Sequence, residues 1–87
     1  MISQEQILER LFVHLQSLAP PGTPLHADVD LKQELGLDSI KVMDLLMALE
    51  DEFDVSIPLN VLTDVHTPAE LAHAVHALME HSDGLVR

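Results

Sequence analysis

Apolar residues recur at steps of three and four in three separate stretches of the chain, the pattern of amphipathic helices. In the first stretch they are Ile7, Leu8, Leu11, Phe12, Leu15 and Leu18. Ser3 followed by Gln6 has the spacing of a capping box, so this helix opens there. It must end at Ala19, because Pro20, Pro21, Gly22 and Pro24 cannot continue it. In the second stretch Val42, Leu45, Leu46, Leu49 and Phe53 share one face, predicting a helix from Ser39 to Asp54 that is broken by Pro58. The third carries Leu71, Val75 and Leu78 behind the clearest start signal in the chain. Thr67 is placed as N-cap, Pro68 at the first helical position and Glu70 as the return half of a capping box. This helix is expected to fray near His81 to Gly84.

A short helix or turn is expected over Leu59 to Asp64. The connection from Ala19 to Asp38 is long for a small domain, and such loops are usually functional or partly structured. Within it, Leu31 to Leu35 can form one helical turn ended by Gly36, with Val29, Leu31, Leu35 and Leu37 anchored in the core. No repeat, low-complexity tract or strand-like alternation is present. The expectation is an all-α domain over residues 1–87, a bundle of three main helices and one short helix with a long loop between the first two.

The second helix carries more apolar surface than one buried face needs. At about 100° per residue, Ile40, Met43 and Met47 form a second strip away from the core face, flanked by Asp44, Asp51 and Asp54. Either the long loop covers this strip or a partner does. Methionine suits an adaptable partner surface, and the carboxylates would steer a basic one. Ser39 stands at the head of the same helix, directly after Asp38. A helix N-terminus suits a phosphate ester, but a serine there is by itself first an N-cap.

Charge and composition narrow the partners. With 15 acidic and 4 basic residues the formal net charge is −11, which leaves little to neutralise nucleic-acid phosphates or to dock on anionic membranes. Basic protein surfaces are the natural complement. Cysteine is absent, so no disulfide, thiolate zinc site or cysteine nucleophile exists in the chain. Tryptophan and tyrosine are absent too, which removes the usual stacking platforms for bases. No apolar run has transmembrane length, and MISQEQILER lacks the basic and apolar regions of a secretion signal. A cytoplasmic, monomeric protein without membrane insertion is expected.

The stretch Leu35-Gly36-Leu37-Asp38-Ser39-Ile40 resembles the 4′-phosphopantetheine attachment motif of acyl carrier proteins. The similarity continues from Met43 to Pro58 and over Thr67 to Val75, and the chain's length, acidity and helix order also fit that family. The resemblance implies a non-catalytic carrier folded as a four-helix bundle. Ser39 would receive 4′-phosphopantetheine from coenzyme A through a phosphopantetheinyl transferase, and the arm would hold acyl groups as thioesters. Asp38 matches the acid used in transferase recognition. Ile40, Met43, Asp44, Met47, Glu50 and Asp51 match the face that meets acyl-loading and acyl-processing enzymes with basic docking surfaces. The pathway implied is fatty-acid, polyketide or related secondary metabolism.

Two departures stand out. Lys41 replaces an acid that bacterial fatty-acid carriers usually have, and after Pro58 the chain turns to Leu59, Val61 and Leu62 where those carriers continue with acids. Both favour a specialised carrier over a housekeeping one. Peptidyl carriers tend to have a Gly-Gly pair where this chain has Gly36 and Leu37, which leans toward the acyl side. An aminoacyl or peptidyl carrier, and an unmodified helical interaction domain, are the alternatives.

Other chemistry finds no support. No Gly-x-Ser-x-Gly surrounds Ser39, so a nucleophile elbow is excluded. Among six histidines, His73, His76 and His81 have spacings that suggest a metal, but no third ligand is placed and a solvated helix face is the better reading. Asp28 and Asp30 begin like a calcium loop, yet Lys32 and Gln33 stand where a ligand and a glycine are needed.

Overall fold

The computed structural model describes residues 2–85, with side-chain placements for residues 2–61 and 63–80. Four helices follow in order: α1 over Gln4–Leu18, α2 over Ser39–Phe53, α3 over Leu59–Asp64 and α4 over Pro68–Leu85. Among the described residues there is no strand, so the molecule is the all-α, four-helix arrangement expected.

Local chemistry sets most helix ends. Ser3 and Gln6 form a complete capping box on α1, with Gln6 N donating to Ser3 Oγ at 3.2 Å and Ser3 N donating to Gln6 Oε1 at 2.8 Å. Ala19 closes that helix in extended conformation ahead of the prolines. On α4 the Thr67 hydroxyl accepts from Glu70 N at 3.1 Å as expected. The return bond differs, because Glu70 Oε1 accepts from His66 N at 2.7 Å rather than from the cap residue itself. The end of α4 also differs from expectation. The backbone stays helical past His81 and Gly84 to Leu85, since one glycine costs a helix only about 1 kcal/mol.

The core is purely aliphatic where it is most buried. Ile7, Leu11 and Leu15 of α1 meet Leu45, Leu46 and Leu49 of α2 and Leu71, Ala72 and Val75 of α4, each at most 2% exposed. α1 packs chiefly against α4 and secondarily against α2. Phe12, Phe53 and Leu78 are half-buried at its margin. Full burial of one such Leu or Ile is worth about 1.5–3 kcal/mol, so these side chains dominate the stability of a small fold.

The long connection is a structured strap. Val29, Leu31, Leu35 and Leu37 are all buried, as their spacing suggested. Asp30 organises the turn between them: its Oδ1 accepts from Lys32 N at 2.9 Å and Gln33 N at 2.7 Å, while Glu34 Oε2 accepts from Asp30 N at 2.7 Å. Asp30 is therefore a turn cap. Gly36 ends the turn at φ +67°, a left-handed conformation that disfavours a side chain. Two backbone bonds hold the strap against the start of α4, Leu31 N to His66 O at 2.9 Å and Ala69 N to Ala27 O at 3.0 Å.

One polar cluster ties α1 to α2. Arg10 Nε donates to Glu52 Oε2 at 2.5 Å, and His14 Nε2 lies 2.8 Å from Glu52 Oε1. The Arg10 hydrogen bond holds the Glu52 carboxyl below the usual carboxylate range, against a smaller opposing effect of burial and with help from His14.

Candidate functional site

The head of α2 is fixed from both sides. Leu37 is buried just before it and Val42 just after it, so the intervening residues are held at a set height above the core. Asp38, not Ser39, is the N-cap. Its backbone is extended, its Oδ1 accepts from Lys41 N at 2.9 Å, and its carbonyl accepts from Val42 N at 3.0 Å. This corrects the simplest reading of Ser39 as the cap. The two candidates are adjacent, and the aspartate carboxylate takes the acceptor role.

Ser39 is consequently the first helical residue. It is exposed, and its hydroxyl makes no hydrogen bond among the described residues. In the first turn the Lys41 N–H is taken by the Asp38 carboxylate, which leaves the Ser39 and Ile40 N–H groups without intrahelical partners. The arrangement suits attack by a free hydroxyl on a phosphoryl centre and retention of the resulting anion at a helix N-terminus.

Beside Ser39 lies a cleft of about 420 Å³, lined by Lys32, Leu37, Asp38, Ser39, Val42, Met43 and Leu59. Three segments build it: the Asp30-capped turn, the head of α2 that follows it, and the start of α3. Its wall is mainly apolar, with Lys32 and Asp38 as the charged members. The sequence does not single out Lys32 for this place; it stands only seven residues before Ser39, and the Asp30-capped turn decides that its side chain lines the cleft.

The outer strip of α2 is open. Ile40 is 73% exposed, Met43 38% and Met47 61%. The strap cannot cover it, because its backbone is bonded to the α3–α4 junction and the start of α4. Leu59 of α3, 62% exposed, adds to the same apolar surface next to Met43. Asp44 and Asp51 are exposed. Glu50 is half-buried and has a structural task, its Oε2 accepting from Ile57 N at 2.8 Å. Glu52 faces α1 instead, as described above. Asp54 closes the helix in left-handed conformation at φ 54°.

The histidines with described side chains do not converge. His73 Nδ1 lies 3.3 Å from Gln4 Oε1 and His76 Nδ1 lies 3.4 Å from Glu80 Oε1. No group of three metal-capable side chains exists among the described residues. His81 has no described side chain. No helix among the described residues is long and apolar enough to cross a membrane.

Known proteins share this chain's sequence pattern and fold. The family described as "Phosphopantetheine attachment site" matches residues 10–75, a span that includes the whole cleft. A protein of Caulobacter vibrioides named "Probable acyl carrier protein" is 37% identical over 54 residues, covering 62% of this chain and 63% of that one, just under two thirds of its length. The "Acyl carrier protein" of Prochlorococcus marinus is 29% identical over 77 residues, covering 87% of this chain and 96% of its own. A solved structure from Mycobacterium tuberculosis, described as a candidate acyl carrier protein, superposes with a TM-score of 0.73 at 27% identity, covering 82% of this chain and 96% of that one. Acyl carrier proteins are carriers rather than catalysts, served by phosphopantetheinyl transferases and acyl-processing enzymes. The free hydroxyl at a helix head, the cleft beside it and the four-helix order fit the covalent 4′-phosphopantetheine that this family bears, and the chain belongs to the acyl carrier protein family.

Proposed function

We propose that Ser39 carries 4′-phosphopantetheine and that residues 1–87 act as one carrier domain. In this reading the chain shuttles acyl groups as thioesters between enzymes of a fatty-acid, polyketide or related secondary-metabolite pathway. The observation that supports it is the free, exposed Ser39 hydroxyl in the first turn of α2, with Asp38 taking the capping role. During transfer from coenzyme A the hydroxyl gives up its proton, and the Ser39 Oγ–phosphorus bond replaces the pyrophosphate bond that breaks. Adenosine 3′,5′-bisphosphate leaves. Once bound, the group supplies a terminal thiol for thioester linkage. The chain's residues hold the attachment point. Leu37 and Val42 fix its height, Asp38 fixes the helix start, and the positive end of the helix would favour the charge of a phosphate held there.

Ile40, Met43, Met47, Asp44 and Asp51 form the docking face for the transferase and for acyl-loading and acyl-processing enzymes with basic surfaces. Glu50 contributes charge at its edge while holding Ile57. Lys41 and the exposed Leu59 make this face less acidic and more apolar at the α3 end, which favours a specialised carrier.

The test is intact-protein mass spectrometry after incubation with coenzyme A and a broad-specificity phosphopantetheinyl transferase, with wild type beside Ser39→Ala. A gain of one phosphopantetheine in wild type alone is expected. Equal gain in both proteins refutes the site, and no gain in a folded wild type with an active transferase favours an unmodified interaction domain.

A further inference from the structure

We propose that Lys32 is the counter-ion of the phosphodiester on Ser39, a positioning residue that anchors the arm at the mouth of the cleft. The inference rests on the carrier function proposed above and adds a residue to it. Lys32 and Ser39 line the same cleft although they belong to different segments. The backbone that carries Lys32 is held firmly. Its N–H donates to Asp30 Oδ1 at 2.9 Å, and the preceding Leu31 is buried and donates to His66 O at 2.9 Å. The ammonium itself is uncommitted, with no ion pair to Lys32 among the described residues.

The electrostatics call for a cation at this place. The chain has a formal net charge of −11, and the Asp38 carboxylate already lines the cleft. A phosphodiester on Ser39 adds one more negative charge beside it. Of the cations with described side chains, Arg10 is tied to Glu52 on the face toward α1, and Lys41 does not line the cleft. Lys32 is the cation that does. Asp38 lines the same cleft but forms no ion pair with Lys32, and its Oδ1 is engaged by the Lys41 N–H. The four-carbon stem of lysine is flexible, so the ammonium can adjust toward a charge at Ser39 across the shared cleft.

The test reads the ammonium directly. Lysine labelled with ¹³C at Cε is titrated by NMR in the unmodified and the phosphopantetheine-bearing protein, with Lys32 assigned by loss of its signal in Lys32→Gln. Attachment should raise the Lys32 midpoint by about 0.5 pH unit, the size expected for an exposed ion pair. The rise should be larger than at Lys41 and should collapse near 1 M salt, where the screening length falls to about 3 Å. Ser39→Ala treated with the transferase should titrate like the unmodified protein. If mass spectrometry shows the arm attached to Ser39 while Lys32 titrates unchanged, or moves no more than Lys41, the role of Lys32 is refuted and the carrier function stands. Failure of attachment to a folded wild type overturns both.

Discussion

Asp38 should be separable into a structural oxygen and a recognition charge. Asp38→Ala removes the acceptor of the Lys41 N–H bond at 2.9 Å. Loss of an N-cap acceptor costs about 1 kcal/mol, within a range of about 0.5–2. For a domain near this size, each 1 kcal/mol lowers the melting temperature by about 4–8 °C. Asp38→Asn keeps an oxygen in the same place, and asparagine caps about as well as aspartate. It loses only the charge–dipole contribution, about 0.3–1 kcal/mol at low ionic strength and less in salt. Thermal unfolding of the unmodified protein, followed by circular dichroism at pH 7 in 0.5 M salt, should therefore rank wild type and Asp38→Asn close together. Asp38→Ala should melt several degrees lower. Ser39→Ala should stay with wild type, because Ser39 is not the cap. If Asp38→Asn falls as far as Asp38→Ala, the hydrogen bond is not the source of the stability. If Ser39→Ala takes the loss instead, the assignment of cap and free hydroxyl is reversed, and with it the basis for a reactive Ser39.

Three other outcomes are expected. Glu52 has a folded-state pKa below its unfolded value, so the stability it contributes is complete above the ordinary carboxylate range and is lost as pH falls through the lowered value. The gap in urea midpoint between wild type and Glu52→Gln should accordingly be present at pH 7 and close in acid, and a gap that widens toward pH 3 would contradict this. Leu49→Ala, at a fully buried position, should cost about 2–5 kcal/mol, whereas Met47→Ala, 61% exposed, should stay within about 0.5 kcal/mol yet slow the transferase. Gly36→Ala places a Cβ that meets nothing within 4 Å, so its cost is conformational alone, about 1–2 kcal/mol at positive φ. Gly36→Asn should cost less because asparagine tolerates that region, and equal melting of the two variants would show otherwise.

The sequence by itself determined the features set by neighbours along the chain. Helix starts at Ser3 and Thr67, breaks at Pro20 and Pro58, the short helix over Leu59 to Asp64 and the turn ended by Gly36 all depend on capping oxygens, missing N–H groups or backbone freedom within a few residues. The core face of α2 was equally legible, because helical periodicity alone puts Val42, Leu45, Leu46 and Leu49 together. So was the Asp38-Ser39 pair, although which of the two caps the helix turns on side-chain geometry that both residue types can supply.

The tertiary structure decided what depends on contacts between distant segments. The outer strip of α2 is open because the strap bonds to His66 and Ala69 rather than crossing that helix. Glu50 and Glu52 look alike in sequence, yet one holds Ile57 and the other holds Arg10 and His14 on a different helix. The cleft at Ser39 exists only where the strap, α2 and α3 meet. Lys32 enters it through packing of Leu31 and Leu35, because burial of apolar neighbours fixes where a charged side chain must emerge and no local pattern encodes what it will face.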